Sequence, residues 1–171
     1  MKKTLFWTLL FIPILCGTVN SYETDRFSIN FPSQPKIYEA QTKIDDKVVN
    51  ITNYQCDDGI GLYTISFGEF SPVLNTPLEK KEFIKGVFNG LLGTAKDVKV
   101  YTKEQSDTTP YDLSYLYSAN FQGIQFMHMG LISLNSDREY IKITLIYPAD
   151  QLLVAGEKYK HFLDSFEFHN K

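Results

Sequence analysis

Along this chain the apolar positions repeat mostly with a period of two. Phe27, Ile29 and Phe31 alternate with Ser28 and Asn30 and stop at Pro32, the spacing that sends successive side chains to opposite faces of a strand. Pro32 and Pro35 frame a turn, since proline cannot donate into a ladder. Three more strands are expected over 37–44, 48–56 and 60–67. Asp45-Asp46 and Asp57-Asp58-Gly59 separate them, the punctuation of a meander of hairpins.

The period then changes. Thr76-Pro77-Leu78-Glu79 combines a threonine cap, a proline at the first helical position and a glutamate three residues after the cap, so a helix starts here. Leu78, Phe83, Ile84, Val87, Phe88, Leu91 and Leu92 recur at spacings of three and four, an apolar face for packing on a sheet. Gly93 is the expected terminator, and Gly86 and Gly90 suggest a close approach to the sheet or a fraying end.

A strand follows over 98–104, and then a polar loop over 105–110. Three long apolar-aromatic strands come next, over 113–121, 124–134 and 140–147, turning at Gln122-Gly123 and Asn135-Ser136-Asp137. They read as the middle of the sheet, and the second of them is apolar on both alternations, as in a strand covered on both faces. Pro148-Ala149-Asp150 opens a second helix that buries Leu152, Leu153, Tyr159, Phe162 and Leu163, and Phe166 and Phe168 add a short terminal strand. The class is α+β, an antiparallel sheet flanked by helices in an α/β/α sandwich.

Lys2 and Lys3 precede an apolar run over 5–15, too short to span a bilayer and suited to a secretory leader. Val19 and Ser21 fit a cleavage site, so residues 1–21 are read as a signal peptide and 22–171 as one mature domain with no transmembrane helix. The alternative is a lipid anchor at Cys16, although Leu15 stands where lipoprotein processing wants a small residue. Loss of the leader takes Lys+Arg from 17 to 15 against 20 Asp+Glu and moves the formal charge from −3 to −5. No basic stripe remains to neutralise a phosphate backbone, which excludes nucleic acid as a partner. The expected destination is the periplasm, the cell surface or the medium.

Cys56 is the one cysteine of the mature chain, so no internal disulfide is available to it. With Asp57 and Asp58 beside it and no base to form a thiolate, it reads as a small strand residue. Asp57-Asp58-Gly59 lacks the further oxygen ligands and closing glutamate of a calcium loop, and Asn50-Ile51-Thr52 matches the N-glycosylation pattern.

His128 shares the face of Phe126, where a hydrogen-bonded structural imidazole is the usual finding and a catalytic role the sharper one. His161 and His169 show no ligand spacing with it or with each other. Serines are plentiful, yet none stands in a nucleophile elbow. No catalytic residue, cofactor or metal ligand is assigned. Tyr115, Tyr117, Tyr140 and Tyr147 are either core aromatics or the surface for a partner.

Two stretches carry a family likeness. The opening Phe27-Ser28-Ile29-Asn30-Phe31-Pro32-Ser33-Gln34-Pro35-Lys36 and the closing Phe162-Leu163-Asp164-Ser165-Phe166 resemble the ends of the PsbP-like α/β/α sandwich superfamily. Its small exported bacterial members include the DcrB-like envelope proteins. The resemblance implies a sheet covered by helices on both faces and no inherited active site, in a group that mostly binds other proteins. The expected role is a non-enzymatic accessory module of the cell envelope, meeting a protein partner at a sheet edge, at the tyrosine surface, or at the loops 70–75 and 105–110. The alternative is a secreted hydrolase or small-ligand-binding protein using His128 with a cleft carboxylate.

Overall fold

In the computed structural model, residues 20–44, 46–93, 95–105 and 113–169 are described. Residues 1–19 of the expected leader 1–21, including Cys16, lie outside them, as does the loop 106–112, whereas Asn20 and Ser21 are described and pair with Phe31 and Asn30. The strands are β1 (Asn20–Glu23), β2 (Phe27–Phe31), β3 (Lys36–Ile44), β4 (Lys47–Asp57), β5 (Leu62–Ser71), β6 (Lys96–Gln105), β7 (Leu113–Phe121), β8 (Ile124–Ser136), β9 (Glu139–Pro148) and β10 (Glu167–Phe168). The helices are α1 (Pro77–Gly93) and α2 (Leu152–Asp164), the second entered through a 3-10 turn at Ala149–Gln151.

Seven strands form one antiparallel sheet in the order β3-β4-β5-β9-β8-β7-β6, and β1-β2-β10 form a small second sheet. The large sheet is two meanders, β3 to β5 and β6 to β9, joined where β5 pairs with β9. Its centre is therefore β9 rather than β8. A last strand that returns to pair with β5 leaves no local signal, because the pairing is non-local.

The join opposes two like charges, Glu69 and Glu139, directly across the strands, an arrangement that destabilises a sheet. Arg26, in the turn between β1 and β2, resolves it. Its guanidinium bridges both carboxylates, the Glu139 contact measuring 2.8 Å, and stands over the Phe67 ring. The same residue thus fastens the small sheet to the large one.

The two faces of the large sheet are covered differently. On one, Phe27, Ile29 and Phe31 of β2 and Ala155 and Phe162 of α2 pack on Tyr63, Ile65, Phe67, Ile141, Ile143 and Leu145. Ring contacts at 5.0 to 5.3 Å, Tyr63 to Phe162, Phe27 to Phe67 and Phe31 to Phe162, tie these layers together. Each fully buried large side chain there contributes roughly 1.5–3 kcal/mol. On the other face α1 is the one covering element among the described residues, crossing from Phe70 and Tyr140, which Phe83 touches, to Tyr115 and Tyr117, which Phe88 touches. The molecule is α+β and dominated by its sheets, with one helix on each face rather than helical layers around a sheet.

Some expected burial does not occur. Leu78 and Leu153 are 68% and 86% exposed. Leu78 falls off the Ile84-Val87-Phe88 stripe, and Leu153, two residues before Ala155, points to the opposite side of α2. Leu152, in the first turn of α2, is also exposed. The loop 70–75 offers no apolar surface through Phe70 or Leu74, which are core residues, and the Leu74 amide donates to the Asp137 carbonyl. At Gly90 an added Cβ would touch nothing, so no close approach to the sheet requires that glycine.

The helix start forms as the sequence dictates. The Glu79 amide donates to Thr76 Oγ1 at 3.2 Å, and the Thr76 and Asn75 amides donate to the Glu79 carboxylate. Thr76→Ala is expected to cost about 1 kcal/mol, measured as a lower urea midpoint at unchanged slope.

Candidate functional site

The floor of the site begins with a glycine. Gly130 on β8 lies beneath the ring of Tyr115, and a Cβ there would collide with the phenol and with the Ile143 carbonyl. Without that Cβ, Tyr115 leans across β8 and its hydroxyl meets Thr144 Oγ1 of β9 at 2.6 Å. Burial holds the phenol of Tyr115 well above its ordinary range.

Next to it Tyr117 stacks on His128, with ring centroids 4.5 Å apart and planes 11° from parallel. The Tyr117 hydroxyl is 3.2 Å from His128 Nδ1, a bond the neutral imidazole accepts when its proton is on Nε2. Burial, aided by the positive charge of Lys142, pushes His128 down to about 4. At neutral pH it is an uncharged ring held by its neighbour.

Because α1 runs obliquely, this face stays open on the side of β4, β5 and β9. The opening is a groove of about 950 Å³, toward the upper end of the volumes that small-molecule sites occupy. Register orders its floor. Asn53 and Lys142 belong to one row across β4, β5 and β9, with the buried Ser66 between them donating its hydroxyl to Asn53 at 2.7 Å. Gln55, Thr64 and Thr144 make the next, continuing to Gly130 and Tyr115. Leu62, Ile146 and His128 make a third, beyond which lie Phe126 and Ala119. Polarity therefore changes along the groove, from Lys142 and the threonines through the apolar row of Leu62 and Ile146 to a mixed rim at the β7–β8 hairpin, where Phe121 and Phe126 stand with Asn120, Gln122 and Lys96.

Lys142 is the residue that sequence reasoning missed. Burial pushes its ammonium down to about 8, so it is still mostly charged at neutral pH. Among the described residues no carboxylate and no hydrogen-bond acceptor engages it. A signal was available: Lys142 lies between Ile141 and Ile143 in a strand whose neighbour reads as covered on both faces. Alternation alone places its stem on the α1 face.

The four tyrosines do not form a surface. Tyr115, Tyr117, Tyr140 and Tyr147 are all at most 3% exposed. The first three face α1, whereas Tyr147 belongs to the core of the opposite face, where its hydroxyl has no partner among the described residues. Tyr115 and Tyr117 line the groove and Tyr140 packs on Phe83. Of the two sequence readings, core aromatics or a partner surface, their burial agrees with the first; period two tells which face a side chain takes and not whether that face is covered.

No Asp or Glu is among the described residues that line the groove. Asp57 lies in register with Leu62, yet its carboxylate accepts the Gly59 amide in an exposed turn at 2.6 Å. Asp58 accepts the Ile60 and Gly61 amides and pairs with Lys158 of α2, so this acidic pair serves the hairpin turn. Cys56 is buried, with Ser33 Oγ 2.9 Å from its sulfur. Among the described residues no group of acidic, His and Cys side chains could hold a metal ion, and no helix is long and apolar enough to cross a membrane.

The titration of His128 has a defined sign. Its folded value of about 4 lies below the ordinary 6.5, so the unfolded chain takes up the proton first. The contribution of the neutral ring is present above pH 6.5 and is lost as pH falls toward 4. His128→Gln should fold and flatten stability over that window, measured by urea melts at several pH values, whereas an unchanged slope would assign the acid limb to other groups.

No protein-family model and no curated protein matches the sequence. Among solved structures, the chain is similar to the crystal structure of LpqN, described as involved in cell envelope biogenesis of Mycobacterium tuberculosis. The identity is 9%, the TM-score is 0.49, and the match covers 82% of this chain and 87% of that one.

Proposed function

We propose that this chain is a non-enzymatic binding module of the cell envelope, on a PsbP-like scaffold, whose ligand lies in the groove beside α1. One observation carries the reading: at one end of the groove stands the Lys142 ammonium, which no acceptor among the described residues engages, and farther along the floor comes the apolar row of Leu62 and Ile146. That pattern orients a ligand and supplies little for turnover. The histidine is neutral and stacked, and the described lining offers no carboxylate to work with it. Export rests on the Lys2-Lys3 start and the apolar run after it.

A second reading, a protein partner adding a strand, is supported by β3. It pairs with β4 without a register shift over nine residues and leaves its other edge open, with Ile37 and Tyr38 about half exposed.

N-phenyl-1-naphthylamine, an uncharged apolar fluorophore, is expected to brighten on mixing with the protein. Leu62→Trp, which fills the groove from a half-buried position, should remove that signal while leaving the far-UV spectrum intact. Binding that survives Leu62→Trp would put the ligand elsewhere. For the strand-addition reading, cross-linked envelope should yield one stoichiometric protein partner that Tyr38→Pro, on the open edge, releases; a partner retained by that variant would exclude the edge.

A further inference from the structure

We propose that the groove binds an amphipathic anion, a single carboxylate or phosphate head seated at Lys142 with its hydrocarbon chain laid toward Leu62, Ile146 and Phe126. This rests on the groove being the binding site, and adds the chemistry of the ligand.

Three features of the site lead there. A charge partly withdrawn from water without a counter-charge is destabilising, yet β9 keeps the half-buried Lys142 in the middle of the sheet with no acceptor among the described residues. An arriving anion would supply what the fold withholds. The field is also selective. The whole chain carries a formal charge of −3, but the charged residues that line the groove are Lys142 and Lys96, with no described Asp or Glu. A cleft of one sign concentrates ligands of the other.

Register then fixes the orientation. Lys142 is followed on its face by Thr144, which pairs with Thr64, so two threonines of the groove lining stand next to the head. One row farther the floor is Leu62 and Ile146, which suits methylene groups and cannot solvate a second charge. Lys96 starts β6 opposite Asn120, far along the groove from Lys142 in strand order. The inner end therefore matches one anionic group rather than a polyanion.

The test is displacement of the fluorescent fatty acid 11-(dansylamino)undecanoate from the purified protein by four twelve-carbon competitors: laurate, dodecyl phosphate, dodecanol and dodecyltrimethylammonium. Laurate or dodecyl phosphate is expected to compete at least about tenfold better than dodecanol, the scale of one charge-assisted hydrogen bond. The cation should be the weakest of the four. The stronger of the two anions identifies the head as carboxylate or phosphate. Lys142→Met should bring laurate and dodecanol to within about twofold of each other without lowering the melting temperature, because an apolar side chain replaces a charge that no described residue pairs. Lys142→Arg should keep the preference. Equal competition by laurate and dodecanol in the unaltered protein, or a preference that survives Lys142→Met, overturns the anion assignment and leaves the groove as a neutral site. If no competitor displaces the probe, or the probe does not bind, the groove itself is not the binding site.

Discussion

The pairing of β5 with β9 is the contact on which the rest of the molecule depends. It joins two meanders that could otherwise close as separate sheets, and it places Ser66 beside Lys142 and Thr64 beside Thr144. Both polar rows of the groove exist only because of that register. A slip of one residue would turn Lys142 into the aromatic core on the other face. The opposed Glu69 and Glu139 work against the pairing, and Arg26 offsets them from a separate sheet. The small sheet is thus part of what keeps the large one in register.

The groove itself follows from dimensions. Seven strands spaced about 4.8 Å apart span about 29 Å, whereas one helix is about 10 Å wide. On the Phe67 face the shortfall is met by β2 alongside α2, with rings from both layers interlocking. On the α1 face nothing equivalent is present among the described residues, and the oblique path of the helix leaves β4, β5 and β9 open at one end. Side chains there are what an uncovered sheet would carry: asparagine, glutamine, threonine and a lysine. The same helix buries Phe83, Ile84, Val87 and Phe88 over the rest of that face, so the boundary between core and groove is the edge of α1.

Much of the fold was legible because its signals are local. The alternation of Phe27, Ile29 and Phe31 gave β2 at its observed bounds, and the Thr76–Glu79 box gave the start of α1. The site was less legible because it depends on coverage. Alternation does not decide between core and surface for the tyrosines, the sequence reading groups Tyr147 with three residues of the opposite face, and alternation by itself gives Lys142 no distinguishing mark. Whether either is buried depends on which strand pairs with β5 and where α1 crosses, and neither has a sequence signature. His128 shows the reverse case. A lone histidine on a sheet read as a satisfied structural ring, and its stacking on Tyr117 shows it in that setting. The carboxylate that would have made it an acid–base pair is not among the described residues of the groove.

If Lys142 is the counter-charge for a bound amphiphile, a crystal structure with 12-bromododecanoate will show the carboxylate within about 3 Å of Lys142 Nζ and the anomalous signal of the bromine near Leu62 and Ile146. A bromine seated at Lys142 with the carboxylate at the outer end, or a bromine signal outside the groove, would contradict it.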